Sequence, residues 1–165
     1  MSAKYSFTLR PARTPEHLSA IKFLFTTYPE SLGIDLTYQG FASELATLPG
    51  KYSHKSGGEL LLAFNTSGEA IGCVGLRPLD QASNPTRCEI KRLYITPSAR
   101  GLGAGKGLLD WMVKKARELG YEEMVLDTLQ TMEKARGMYK SVGFVETEAY
   151  YDSPVEGTVF MRLVL

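Results

Sequence analysis

Residues 93 to 107 read LYITPSARGLGAGKG. A short apolar run meets Pro97 and Arg100. Glycines then follow at 101, 103, 105 and 107, where an amphipathic helix begins. Glycine tolerates positive φ and lets a ligand come close to the main chain. The helix directs its first N–H groups and its positive dipole end into the same turn. Arg100 and Lys106 add mobile positive charge. Strand, turn and helix together make an anion site that a diphosphate suits best. Two familiar diphosphate turns fail on spacing. G-x-G-x-x-G would place its last glycine at Lys106 or Leu108. G-x-x-x-x-G-K-[ST], aligned on Gly105 and Lys106, meets Arg100 at its first position and Gly107 at its last.

The flanking chain gives this turn a sheet to sit on. YSFTLRP (5–11) alternates and stops at proline, as a strand would. A helix follows over 14–29, with Thr14 as N-cap, Pro15 first, Glu16 in the first turn, and Leu18, Ile21, Leu24 and Phe25 on one face. YQGFASELATL (38–48) reads as a second helix and 49–58 as a polar connector. Strands are expected at 59–65, 69–79 and 88–96, with a turn at 80–86. A helix spans 103–119, with Gly120 ending it. A strand at 123–128, a helix at 131–142 stopped by Gly143, and terminal strands at 144–151 and 157–165 complete the order β-α-α-β-β-β-α-β-α-β-β. The expectation is an α/β protein: one domain over 1–165, a mixed sheet of about seven strands flanked by about four helices.

Composition narrows the partners. Nineteen basic residues against eighteen acidic ones leave a net charge of +1, which argues for neither nucleic acid nor an anionic membrane. No apolar stretch reaches transmembrane length, and the N-terminus lacks a secretory h-region, so a cytoplasmic protein is expected, with nuclear access left open. Cys73 and Cys88 lie in β-like runs on either side of a turn. Cross-strand proximity is open, but two buried thiols are the expectation in a reducing compartment. With only His17 and His54, far apart, neither a zinc site nor a histidine-based triad is expected.

The turn matches [QR]-x-x-G-x-[GA] through Arg100, Gly103 and Gly105, and a later helix reads ARGMYKSVGF, from Ala135 to Phe144. With these two motifs in this order, the chain resembles the GNAT superfamily of acyl-CoA-dependent N-acetyltransferases, and the order of elements agrees over nearly its whole length. The resemblance implies acetyl-CoA as cosubstrate and an amine as acceptor. It implies a strand that splays from its neighbour to admit the pantetheine arm, with main-chain groups of Leu93, Tyr94 and Ile95 along it. Arg100, Gly101, Leu102, Gly103, Ala104, Gly105 and Lys106 would surround the pyrophosphate. Tyr139 matches the tyrosine that protonates the departing sulfur; as a plain core residue it would share a helical face with Met132, Ala135 and Val142. Where many relatives carry asparagine seven residues earlier, this chain has Met132. Asp127 and Thr128 are the polar alternatives.

The strand CEIKRLYI supports a cleft independently, because a covered central strand should be almost wholly apolar. Glu89 and Lys91 should face one side and Arg92 the other, unless a bulge intervenes. Glu89 is the candidate general base, acting directly or through water. Acceptor recognition falls to YPESLGID and YYDSPVEG. Glu30, Asp35 and Asp152 suit a cation, Lys91 and Arg92 a carboxylate, and Tyr150 and Tyr151 a platform. The leading function is acetyl transfer to a primary amine of a small molecule or peptide, by direct attack through a tetrahedral intermediate. The alternative is a non-catalytic acyl-CoA sensor of the same fold. A nucleotide-binding regulator is disfavoured by the glycine spacing. No metal is expected, and a homodimer stays open.

Overall fold

The computed structural model describes residues 6–79 and 86–165. Tyr5 and residues 80–85, where the first strand was expected to start and a turn to lie, fall outside them. Seven strands form one sheet in the order β1-β2-β3-β4-β5-β7-β6. They are β1 Phe7–Pro11, β2 Glu59–Asn65, β3 Ala70–Pro78, β4 Arg87–Ile95, β5 Glu123–Leu129, β6 Val145–Thr147 and β7 Thr158–Val164. Every neighbouring pair is antiparallel except β4 with β5. Four helices cover the faces: α1 Pro15–Leu32, α2 Phe41–Ala46, α3 Ala104–Glu118 and α4 Glu133–Val142.

Alternation along β2 and β3 sorts apolar side chains into two layers. Leu61, Ala63, Val74 and Leu76 pack with Leu108, Leu109 and Met112 of α3, and with Phe144 just beyond α4. Leu60, Leu62 and Cys73 pack on the other face with Ile21, Leu24 and Phe25 of α1. Each such aliphatic side chain stabilises the fold by about 2–5 kcal/mol relative to alanine.

Local signals set the helix ends. Thr14 accepts the His17 N–H at 3.1 Å, and Pro15 opens α1. Pro29 does not end α1 where the sequence suggested. The helix runs on to Leu32, with Pro29 buried and the chain leaving through Gly33 at φ 65°. The expected helix at 38–48 is shorter. Gly40, at φ 67°, separates a 3-10 turn over Thr37–Gln39 from α2. Gly120 and Gly143 end α3 and α4 in left-handed geometry. The strand expected over 144–151 is reduced to β6. Tyr150 and Tyr151 both meet the Phe160 ring edge-on at 5.2 Å, which consecutive residues of a regular strand cannot do.

Cys73 pairs in register with Tyr94, and Cys88 with Pro78. The two thiols are free, buried and in opposite layers. Burial raises both, Cys88 to about 12. Among the described residues, no helix is long and apolar enough to cross a membrane.

Two tests follow from this packing. Neither thiol should react with Ellman's reagent at pH 8 in the native protein, and both should react in denaturant. Native reactivity would show that the layers are open. A Cβ on Gly75 would lie 2.6 Å from the Tyr52 ring. Gly75→Ala is therefore expected to lower unfolding free energy in urea by about 1–3 kcal/mol.

Candidate active site

β4 and β5 pair only from Arg87↔Glu123 to Glu89↔Val125. β4 then continues to Ile95 and β5 to Leu129 without further pairing. A wedge opens between them, walled by Leu93, Leu126, Asp127 and Tyr139. Beyond the divergence, Thr96 N–H bonds Ile71 O on the β3 side. Alternation therefore turns the main-chain groups of Leu93 and Ile95 toward the open side. The Ile95 carbonyl there accepts from Arg100 Nε at 3.2 Å.

The divergence coincides with a bulge. Between the pairs Gly75↔Lys91 and Cys73↔Tyr94, Val74 alone faces Arg92 and Leu93, and Arg92 adopts φ 59°. The extra residue resets the alternation. Ile90 and Leu93 both face the α3 layer, while Tyr94 packs with Cys73 in the α1 layer. Arg92 consequently joins Lys91 on the α1 side. Its Nε bonds Glu44 at 3.1 Å, and its guanidinium lies 5.3 Å from the Phe41 ring centroid, both on α2.

A charged cluster fills this face. Glu89, 1% exposed, accepts Arg77 Nε at 2.9 Å on Oε1 and the Tyr150 hydroxyl at 2.5 Å on Oε2. Lys91 Nζ lies 3.9 Å from Glu89 Oε2 and 3.7 Å from Asp127 Oδ2, and donates to Gln39 Oε1 at 3.0 Å. Burial lowers the Lys91 ammonium, against the pull of Glu89 and Asp127. Tyr151 donates to Asp127. Burial, then Glu89, raises the Tyr150 hydroxyl far above an ordinary tyrosine, so it keeps the proton with which it hydrogen-bonds Glu89. A cleft of about 670 Å³ opens over this cluster, bordered by Gln39, Arg77, Glu89, Lys91, Tyr150 and Asp152.

At the far end of the wedge lies the glycine turn. Gly101 and Gly103 take φ 89° and 85°, and a Cβ on either would meet no protein atom within 4 Å. The first helical bond of α3 runs from Gly107 N–H to Gly103 O. The N–H groups of Ala104, Gly105 and Lys106 precede it, no side chain caps them, and the first turn holds no acidic residue. Lys106 pairs at the surface with Asp110, 2.7 Å away, and Leu102 is exposed. Tyr139 is buried in the wedge wall, edge-on to Phe144 at 5.7 Å, and burial raises its hydroxyl well above the usual range.

The wedge, the uncapped helix and the buried tyrosine all lie within or beside one stretch of family likeness. Residues 21–144 match the acetyltransferase (GNAT) family model. The chain belongs to the GNAT acetyltransferase family. An uncharacterised N-acetyltransferase of Schizosaccharomyces pombe is 39% identical, over 96% of this chain and 94% of that protein. A GNAT-family acetyltransferase from Staphylococcus aureus superposes with a TM-score of 0.74 at 22% identity, covering 94% of this chain and 97% of the other. A Salmonella typhimurium protein described as an acetyltransferase, solved with its cofactor acetyl-CoA, gives 0.73 at 18% identity, over 96% and 93%.

Within this GNAT chain the structure gathers Glu89, Lys91, Tyr150 and Tyr151 at one cleft, and sets Arg92 on a smaller cavity that shares Gln39 and Tyr151 with it. Tyr139 and the Arg100–Lys106 turn lie along the wedge beside it. The side chain of Tyr94 points away, against Tyr28 at 5.7 Å. Met132 precedes α4 without capping it through its side chain, and its sulfur accepts from the Thr128 hydroxyl at 3.8 Å. Glu30 and Asp35 are exposed and border neither cavity. Sequence reasoning missed Arg77, Gln39 and Glu44. Arg77 was visible as a charge in the apolar run IGCVGLRPL. Gln39 ends a 3-10 turn and Glu44 lies on the six-residue α2, elements whose path no periodicity reveals.

The Arg92–Glu44 pair is buried on the arginine side and nearly so on the carboxylate side, with 3% and 10% of the side chains exposed. Leaving Arg92 without its carboxylate is expected to cost about 3 kcal/mol in urea unfolding of Glu44→Gln. Asp110→Asn, which breaks only the exposed Lys106 pair, should change stability within measurement error.

Proposed function

We propose that the protein transfers an acetyl group from acetyl-CoA to a primary amine of a small molecule or peptide, by direct attack through a tetrahedral intermediate. The wedge carries this reading. It begins beside Glu89, has Tyr139 on its wall, and ends at the uncapped start of α3.

The residues present suit the cosubstrate. The open glycine turn, three main-chain N–H groups and the α3 dipole provide for a pyrophosphate, with Arg100 and Lys106 as mobile cations. The pantetheine amides would meet the main chain of Leu93 and Ile95, where β5 has left β4 unpaired. Acetyl-CoA supplies a thioester carbonyl for the amine nitrogen to attack, and CoA departs as thiolate. Glu89 Oε2 accepts the proton that the amine loses, directly or through water. Arg77 fixes that carboxylate from its other oxygen. A main-chain N–H of β4 stabilises the developing oxyanion. Tyr139, kept protonated by burial, gives its proton to the departing sulfur. Attack forms one C–N bond and collapse breaks one C–S bond; the ammonium gives its first proton to solvent, the attacking amine gives its second to Glu89, and Tyr139 recovers from solvent the proton it hands to sulfur.

Free thiol released from acetyl-CoA across a panel of amines tests the reading. Tyr139→Phe and Glu89→Gln should each lower kcat by about 10²-fold or more without abolishing CoA binding. An acyl-CoA sensor would bind CoA yet release no thiol with any amine. Gly103→Val should weaken CoA in calorimetry by about tenfold or more, because its side chain enters the space the diphosphate needs. Unchanged affinity would move the pyrophosphate elsewhere.

A further inference from the structure

Two cations share one neutral oxygen between the large cleft and the smaller cavity beside it. Gln39 Oε1 accepts from Lys91 Nζ at 3.0 Å and from Arg92 Nη1 at 2.8 Å. Both cationic side chains are 3% exposed. Among the described residues, Arg92 Nη2 is buried and has no hydrogen-bond partner. A buried guanidinium nitrogen without an acceptor is costly, and a neutral amide oxygen is a poor counterpart for two charges.

The carboxylates nearby are already engaged. Glu44 takes Arg92 Nε and the Tyr52 hydroxyl, Glu89 takes Arg77 and Tyr150, and Asp127 takes Tyr151. Lys91 stands beyond hydrogen-bond distance of both Glu89 and Asp127. Gln39 borders the large cleft beside Lys91, and also the smaller cavity on which Arg92 opens. It ends a single 3-10 turn that leads into the left-handed Gly40, so its side chain is held by one short segment.

We infer that the acceptor amine carries a carboxylate, held between Lys91 and Arg92 where the Gln39 amide oxygen now lies. The inference rests on reading this cleft as the acceptor site of an acetyltransferase, and it narrows the acceptor to amino-acid-like amines. One carboxylate oxygen would serve Lys91 and the other the Arg92 fork, whose Nη2 gains its missing acceptor. With Lys91 Nζ 3.9 Å from Glu89 Oε2, a short amino acid so held presents its amine to the proposed base. A plain alkylamine or polyamine leaves both cations facing Gln39.

The test uses the twenty L-amino acids, their primary amides and the corresponding decarboxylated amines. Each is assayed for thiol release with acetyl-CoA, and for thermal stabilisation of the CoA-bound protein. At least one acid should exceed its own amide in kcat/KM by about tenfold or more. Lys91→Met should erase that ratio by raising KM for the acid. Arg92→Lys, which keeps the charge but loses the fork, should reduce it, and the unmutated protein's melting shifts keep the test valid should either variant misfold. Amides or decarboxylated amines reacting as well as acids would overturn the subsite and leave the transferase standing. Acids that stabilise the protein where amides do not, with no amine releasing thiol, would overturn the transferase and leave the subsite standing. Failure of every acid to differ from its amide in both assays would overturn the subsite.

Discussion

Hydrogen bonding between β4 and β5 is abandoned after three residues, and the rest of the molecule is arranged around that loss. A parallel pair in the middle of a sheet would ordinarily continue, because each unpaired main-chain group is costly when buried. Here the inserted residue at Arg92 bends β4 and swings the strand away from its neighbour. The bend leaves main-chain donors and acceptors along one side of a cleft. It also delivers two cations to a single face and points the strand at the uncapped start of α3. The wedge and the placing of Arg92 beside Lys91 go with one local departure from regular pleating.

The charged cluster persists because each member is held by another element. Arg77 reaches Glu89 across β3 and β4, Glu44 meets Arg92 from α2, and the tyrosines of the 148–157 segment close over Glu89 and Asp127. Tyr52 sits on Gly75 with its hydroxyl 2.7 Å from Glu44, so packing in the α1 layer fixes the carboxylate that steadies Arg92. Buried ion pairs of this kind add little net stability over an apolar core. Their contribution is orientation at the one place where β4 is irregular.

Much of this was legible in the sequence. The glycines at 101 and 103, the capping residues Thr14, Gly120 and Gly143, and the charges at 89 and 91 each have a local physical cause and appear where that cause predicts, whereas Arg92 lies on the same side as Lys91 and not on the opposite one. The bulge did not announce itself, because one inserted residue leaves no periodic trace; strict alternation would have put Arg92 in the α3 layer. Gln39 and Glu44 were invisible for a related reason. They reach the site through Gly40 and two short elements, and only the packed structure sets that path. Tyr150 and Tyr151 read as strand because their composition is β-like, while their hydroxyl partners lie far away in the chain.

The short parallel joint also has a mechanical meaning. Strands β1–β4 and β5–β7 are two plates fastened edge to edge at one end and parted at the other, like the halves of a clothes peg. Whatever molecule lies in the parted end supplies the rungs that the strands themselves omit, and so welds the plates. Occupancy and cohesion are thereby tied: a ligand that binds only the folded plates raises the unfolding free energy with the logarithm of its concentration over its dissociation constant.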